Sequence, residues 1–341
     1  MERLAIDTPA EGTITAVADD LYWARFALPF RLNHINLYMI DTYDGLVLID
    51  TGINDEVTAR HWQILLEGPL SGKPISAILV THHHVDHIGY AGKLQQITGA
   101  PVWMSAEEAE VAKWLIEQDD DVFSALVADT YQRYGLDEES CAIARSDKGR
   151  FRRHVAPLPD LTIISENHHI KSKSGTWRIR IDGGHSQAHI GLSDEKRGLY
   201  IAVDFLLPRI SPNISVDLRY PAKDNLGFYL SFLSEMTDMD ESWQVFPGHD
   251  WPFTKGASRA RSLISHHENR LSALIEAAQD GPITVFQAMS VLFGKSFAAH
   301  ELYFATGEAR AHLGHLVATN KMMIVEKSDD KGVDYFALSQ P

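Results

Sequence analysis

Seven residues constrain this chain more than anything else in it: Thr81-His82-His83-His84-Val85-Asp86-His87. They follow Pro74-Ile75-Ser76-Ala77-Ile78-Leu79-Val80, a short apolar run of the kind that forms a buried strand. The strand is expected to deliver the cluster into a loop. Alternate residues on an extended segment point to the same side. His82 and His84 can therefore grip one ion, and the Asp86-His87 pair, after a bend, a second. Imidazole and carboxylate are the usual ligands of zinc and of other borderline metals. The competing reading is a solvated histidine-rich loop, which predicts no partners elsewhere. Partners are present. His185 follows the strand expected at 176–182 in Gly183-Gly184-His185-Ser186, Asp204 ends the run Leu199–Val203, and His249 follows 243–246 in Pro247-Gly248-His249-Asp250. Each sits at a strand end, where α/β proteins build their sites.

Around the cluster the pattern alternates. Residues 35–50, INLYMIDTYDGLVLID, read as a β-hairpin about Asp44-Gly45 that leaves through Asp50-Thr51-Gly52. Helices are expected at 53–67, 90–98 and 224–236, and strands at 101–104, 161–164, 176–182, 199–203 and 243–246. Between 106 and 147, Ala109, Ala112, Leu115 and Ile116, and then Phe123, Leu126, Val127 and Tyr131, keep helical spacing. That spacing predicts two or more helices inserted between strands. After Lys255, helices are expected at 258–279, 284–293 and 306–319. Two short strands follow at 321–327 and 333–338, about Asp329-Asp330-Lys331-Gly332. The chain thus divides into a metal-bearing unit at 1–255 and a small winged-helix-like unit at 256–341.

Asp50-Thr51-Gly52, THHHVDH at 81–87, GGHSQAH at 183–189, Asp204 and PGHD at 247–250 together resemble the metallo-β-lactamase superfamily of binuclear metallohydrolases, in its order and over roughly residues 13–255. The resemblance implies an α/β fold, a four-layer αβ/βα sandwich with metals at one edge of two packed sheets. It implies two divalent ions, zinc ahead of manganese or iron. His82, His84 and His185 would hold the first, Asp86, His87 and His249 the second, and Asp204 would bridge both. Asp50 matches a residue that orients a ligand imidazole, and His189 is expected beside the ligands. A histidine at 249 and an aspartate at 204 resemble the hydrolase branches rather than the true β-lactamases. The implied reaction is hydrolysis of an ester, thioester or lactone. Two metals lower the pKa of a bridging water, the hydroxide attacks the carbonyl, and Asp86 orients it and takes up its proton. Asp86 and Asp204 are then the catalytic residues. Nucleases and phosphodiesterases of the superfamily use the same ligands and some members use iron for oxygen chemistry, so these stand as alternatives.

Residues that touch the substrate are sought near the same strand ends: His34, Asn36, Phe205, Arg209, Asn213 and Tyr229. The basic run Arg145, Lys148, Arg150, Arg152, Arg153 and His154 reads first as a solvated loop. Its sharper reading makes Arg152 and Arg153 an anchor for a carboxylate or a coenzyme A phosphate. His83 is read as a spacer, and His168-His169 and His266-His267 as exposed polar residues. His312 and His315 can share a helix face but have no accompanying carboxylate in a motif. The helices of 106–147 are expected to form a lid.

Charge narrows the partners. A net charge of -15 repels phosphate backbones. Residues 256–341 hold eight Lys or Arg against nine Asp or Glu, so a nucleic-acid partner is not expected even from a winged-helix-like unit. That unit is expected to cover the site or to mediate a homodimer. The one cysteine, Cys141, permits no intramolecular disulfide. The start, MERLAIDTPAEGTITAV, lacks a basic stretch followed by an apolar one, and no run of about 18 apolar residues occurs. The expectation is a cytoplasmic protein with no membrane partner, acting on a small acyl ester, thioester or lactone.

Overall fold

The hairpin signal at Asp44-Gly45 and the runs that follow it as far as residue 163 grow into one sheet, and the runs after residue 168 into a second. The computed structural model describes residues 1–146, 149–294, 299–327 and 330–339. The chain lays down β1 (Glu2–Arg3), β2 (Thr15–Ala18), β3 (Leu21–Ala27), β4 (His34–Asp41) and β5 (Leu46–Ile49). It crosses through α1 (Glu56–Glu67) to β6 (Ile75–Leu79), the short α2 (Val85–Ile88), α3 (Ala91–Thr98) and β7 (Val102–Met104). Helices α4 (Ala106–Glu117), α5 (Asp120–Arg133), α6 (Glu138–Ser146) and α7 (Arg150–Val155) precede β8 (Leu161–Ile163). Then come β9 (His169–Lys171), β10 (Thr176–Asp182), β11 (His189–Asp194), β12 (Leu199–Val203), α8 (Asn225–Met236), β13 (Gln244–Pro247) and β14 (Phe253–Thr254). The C-terminal part is α9 (Gly256–Ala277), α10 (Val285–Phe293), α11 (Ala299–Ala318), β15 (Met322–Lys327) and β16 (Asp330–Leu338).

One seven-stranded sheet has the order β2-β3-β4-β5-β6-β7-β8, the other β1-β14-β13-β12-β11-β10-β9. Trp23, Tyr38 and Leu79 of the first meet Trp177, Ile190 and Phe246 of the second in a core between the sheets. Trp62, Leu94 and Ala109 bring α1, α3 and α4 onto the outer face of the first sheet. Leu226, Phe232 and Leu263 bring α8 and α9 onto Ala202 and Val245 of the second. Helix, sheet, sheet and helix make the four layers that the motifs imply. Strands β5 and β6 run parallel, as do β12 and β13, so their C-terminal ends emerge at common edges.

Several elements differ from expectation. β11 is buried almost throughout, β3 carries Arg25 as its one charged residue, and neither has a polar alternation to mark it. The histidine cluster is not wholly a loop, because Asp86 and His87 lie on α2. The basic run is not a loop either: Arg150–Val155 is helical, with Val155 buried. Lys148 and Asp329 lie outside the described residues. The insertion expected as a lid is built into two cores. α4 covers the first sheet, while Val127, Tyr131 and Cys141 of α5 and α6 pack with Val285, Met289, Leu302 and Phe336. Arg133 adds an ion pair to Asp334 at 3.0 Å. α11 begins at Ala299, seven residues before the expected start. Among the described residues no helix is long and apolar enough to cross a membrane.

Candidate metal centre

Strand ends from both sheets aim at one edge. Asp50 follows β5, Thr81 and His82 follow β6, Asp204 follows β12, and His249 follows β13. His185 lies in the turn between β10 and β11. The chain bends sharply at these exits: Asp50, Val203 and Asp250 have φ of 62°, 47° and 67°. Left-handed backbone at such residues costs of order 1–3 kcal/mol each, most plainly at a β-branched valine. Gly248 meets the opposite demand, for closeness. A Cβ there would collide with Asp204 Oδ1 and stand 3.4 Å from His87 Cε1.

Hydrogen bonds set the tautomer of each ring. His87 Nδ1–H donates to Asp50 Oδ2 at 2.8 Å. Asp50 is itself fixed by the Thr81 amide at 2.8 Å and the Thr81 hydroxyl at 2.9 Å. Because that hydroxyl gives its proton to Asp50, its oxygen accepts from His82 Nδ1–H at 3.0 Å. His185 Nδ1–H donates to the Asn213 carbonyl at 2.8 Å, and His249 Nδ1–H to the His34 carbonyl at 2.7 Å. Each of these acceptors fixes a proton on Nδ1, so Nε2 of each ring in its neutral form carries a lone pair. His84 instead offers Nδ1, 3.0 Å from His82 Nε2.

These lone pairs converge. Asp204 Oδ2 stands 3.4 Å from His185 Nε2, 3.5 Å from His87 Nε2 and 3.5 Å from His249 Nε2. Asp86 Oδ2 is 3.5 Å from His249 Nε2 and 3.7 Å from His87 Nε2. Three groups each keep their donor atoms within 4.8 Å: His82, His84 and His185; His82, His87 and Asp204; Asp86, His87 and His249. His87 Nε2, His185 Nε2 and Asp204 Oδ1 are buried without a hydrogen-bond partner. Unpaired buried polar atoms are costly, and cations held among these groups would offset that cost at both rings. Ligands at about 2.0–2.1 Å in a tetrahedral shell stand roughly 3.3 Å apart, close to the separations here. The residues present therefore fit divalent metal.

The electrostatics point the same way. Burial alone would raise the Asp204 carboxyl, yet the His249 and His87 imidazoles hold it well below the usual range. Burial works against charge on His87 and His249 too, and Asp204 and Asp86 outweigh it, so both are raised. His82 and His84 are held well below the ordinary value by burial and by neighbouring imidazoles. The edge thus favours positive charge between the carboxylates and neutral rings around it.

His189, at the start of β11, is buried with its ring centroid 4.8 Å from that of His82 and 4.5 Å from that of Phe205. Its Nε2 has no partner, and burial pushes its pKa down to about 3. His83 is more than a spacer. Its Nδ1 meets Glu108 Oε2 at 2.6 Å and its amide donates to the same oxygen at 2.9 Å. Glu108 Oε1 accepts from the Ala188 amide at 2.7 Å, so this buried carboxylate straps the histidine segment to the approach to β11. Burial would raise its pKa, but His83 and the two amides bring it down to about 2. Nothing local marks Glu108, because the residues it serves are remote in sequence.

The residues expected at the substrate scatter into other work. Tyr229 is fully buried and gives its hydroxyl to the Phe205 carbonyl at 3.0 Å, which corrects it to a packing residue. Phe205 is equally buried, behind His185 and His189. His34 has both ring nitrogens engaged, with Asn33 Oδ1 at 2.8 Å and the Asp250 amide at 2.7 Å. It serves the site through its carbonyl, as Asn213 does. The Asn213 side chain turns away, toward α11. Asn36 is buried and donates to the Pro247 carbonyl at 2.9 Å. Arg152 donates to the carbonyls of Ile116, at 3.1 Å, and Gln118, tying α7 to the end of α4 rather than offering an open anion anchor. Arg153 is on the exposed part of the same helix. Arg209 is exposed, 3.9 Å from Asp250 Oδ1 with its guanidinium 5.5 Å from the Trp251 ring centroid.

Of the remaining histidines, His169 is exposed and His168 packs edge-on against Trp103 at 4.6 Å. The expectation of exposure fails at His267, which is buried and faces His312 at 3.1 Å. His315 pairs with Asp224 at 3.0 Å, so it does not join His312 in a site.

The family model described as the metallo-beta-lactamase superfamily matches residues 31–249, and that described as a metallo-beta-lactamase-like C-terminal domain matches 271–339. The chain is 24% identical over 310 residues to the probable metallo-hydrolase YqjP of Bacillus subtilis (strain 168), covering 88% of this chain and 93% of that protein. Its fold superposes on a beta-lactamase domain protein from Burkholderia ambifaria with a TM-score of 0.87 and 30% identity, over 99% of this chain and 97% of that one. A metallo-beta-lactamase family protein from Thermus thermophilus matches with a TM-score of 0.79 and 24% identity, over 95% of this chain and 100% of that one.

Proposed function

Since this chain belongs to the metallo-β-lactamase superfamily, we propose that it is a metal-dependent hydrolase acting on the acyl carbonyl of an ester, thioester or lactone. The observation that supports this best is the convergence of His82, His84, His87, His185 and His249 on the Asp86 and Asp204 carboxylates, with His87 Nε2, His185 Nε2 and Asp204 Oδ1 buried without a hydrogen-bond partner. His82, His84 and His185 would hold one divalent ion, Asp86, His87 and His249 a second, and Asp204 would serve both. When bound, such ions supply Lewis acidity and bring the pKa of water toward neutrality.

The chain's own residues do the rest. Asp50, Thr81 and the carbonyls of His34 and Asn213 keep the ring protons on Nδ1, so the rings need no reorganisation when a cation arrives. Asp86 is the half-buried carboxylate of the centre, whereas Asp50 and Asp204 are buried. It is the group placed to orient an attacking water and accept its proton on a carboxylate oxygen. The water oxygen bonds to the acyl carbon, and the alkoxide or thiolate leaves. Arg209, exposed beside Asp250, is assigned to an anionic group on the substrate. Arg209→Ala should raise KM for anionic esters about 10-fold while neutral esters keep theirs. Equal effects on both would remove that assignment.

The function is tested by proton release in a pH-stat, with and without chelator, on acyl-CoA thioesters, acyl-homoserine lactones, aryl esters, a β-lactam and a short RNA. Chelator-sensitive turnover of one carbonyl class supports the reading. Turnover of RNA alone, or silence across the panel by protein that has its metals, overturns it.

A further inference from the structure

Three of the four Nδ1 acceptors at the metal centre lie on or beside sheet strands: His34 begins β4, Asp50 follows β5 and Thr81 follows β6. The fourth does not. Asn213, whose carbonyl accepts from His185 Nδ1–H at 2.8 Å, lies between β12 and α8, where 204–224 contains no helix or strand. A carbonyl on such a segment is only as well placed as the contacts that hold the segment.

Those contacts come from the C-terminal helices. The Asn213 amide stands 3.3 Å from the Phe304 carbonyl and 3.3 Å from Glu308 Oε2, both on α11. Its side-chain oxygen accepts from the Ser215 hydroxyl at 2.5 Å. Glu308 is buried, and its other oxygen is paired with Arg270 of α9. Arg270 in turn sits 4.7 Å from the Phe293 ring centroid on α10. Asn225, at the start of α8, donates to the Ser215 carbonyl at 2.7 Å. Helix α11 rests directly on the segment: a Cβ on Gly307 would come within 2.5 Å of Ser215 Oγ. A continuous set of polar contacts thus runs from the C-terminal helices to one ring of the centre.

We propose that the C-terminal helices position a metal ligand, with Glu308 acting through Asn213 to hold His185 in its ligand orientation. This rests on the metal centre being the working site. Glu308 and Asn213 are positioning residues that touch neither substrate nor metal. The consequence is asymmetric. The ion held by His82, His84 and His185 depends on the C-terminal helices, and the ion held by Asp86, His87 and His249 does not.

The test is metal binding by the full chain: zinc affinity by chelator competition, the absorption spectrum on cobalt titration, and thermal melting of the metal-free protein. Asn213→Ala keeps the carbonyl and removes the clamp. It should weaken one of two ions about 10-fold, alter one of two cobalt signatures, and leave the other ion near wild type. Glu308→Gln should weaken the same ion, and the double variant should lose no more than Asn213→Ala alone. Wild-type affinities for both ions in Asn213→Ala overturn the proposal, and additive losses in the double variant overturn the connection through Asn213. Ser215→Ala, which removes only the bond to the Asn213 oxygen, gives the same reading if Asn213→Ala does not melt as a folded protein. If the wild-type chain itself takes up neither zinc nor cobalt, the metal-centre reading falls, and this proposal with it, before any variant is compared.

Discussion

At the sheet edge, His82, His87, His185 and His249 each hand their Nδ1 proton to an acceptor and turn Nε2 toward a common centre. Between α9 and α11, His267 and His312 are just as deeply buried, but they turn toward each other. His267 Nδ1 meets His312 Nε2 at 3.1 Å, and His312 Nδ1–H donates to the Glu308 carbonyl at 2.8 Å. The carboxylates nearby are spoken for: Glu308 by Arg270, Asp224 by His315. Burial therefore prevails, pushing His267 down to about 2 and, against the bond to the Glu308 carbonyl, His312 to about 3. At the edge, Asp204 and Asp86 stand among the rings and reverse that tendency at His87 and His249. Density of histidine does not make a cation site. Unprotonated nitrogens converging on carboxylates do.

The largest effect expected from that contrast is at Asp204, which stands among three of the edge rings. Asp204→Asn should lower turnover by about 100-fold or more and strip metal. Metal analysis with wild-type content, alongside wild-type rates, would erase the distinction between the two groups. Asp50→Asn comes next. An amide facing His87 Nδ1 no longer reliably takes its proton, so metal affinity should fall about 10-fold, read by chelator competition. An unchanged affinity would mean that the His87 tautomer is set elsewhere.

The interior pair predicts a pH effect instead. His267 and His312 have folded values depressed below the ordinary 6.5. Their contribution is complete above pH 6.5 and is lost as pH falls toward about 3, because only the unfolded chain takes up those protons. Urea unfolding of the metal-free protein at stepped pH should show stability declining across that window. His312→Gln should flatten the decline. A slope unaltered by the substitution would mean that these rings are not held neutral. The smallest expected effect is the most discriminating: His312→Gln should leave metal content unchanged, and a loss of metal would join the two groups after all.

The residues that the structure gathers at this edge were legible from the sequence, because each is a polar residue set just past a strand-like run, and the motifs stand in a known order. The four-layer architecture was legible from the resemblance those motifs carry, while the parallel pairs that align Asp50 with His82 and Asp204 with His249 emerged only in the structure. The orienting groups were not. Every residue has a carbonyl, so nothing in the chain distinguishes those of His34 and Asn213. Only the packing brings them within 2.7 Å of His249 and 2.8 Å of His185. Glu108 was silent because its partners, His83 and Ala188, are distant in sequence. His267 was misjudged because α11 covers the α9 face on which it lies, and Tyr229 because α8 turns it inward. Sequence by itself determined which side chains can bind metal, since that follows from residue type and strand periodicity. Tertiary structure decided which nitrogen of each ring is free and which buried histidines remain core, since both depend on acceptors supplied by other parts of the chain.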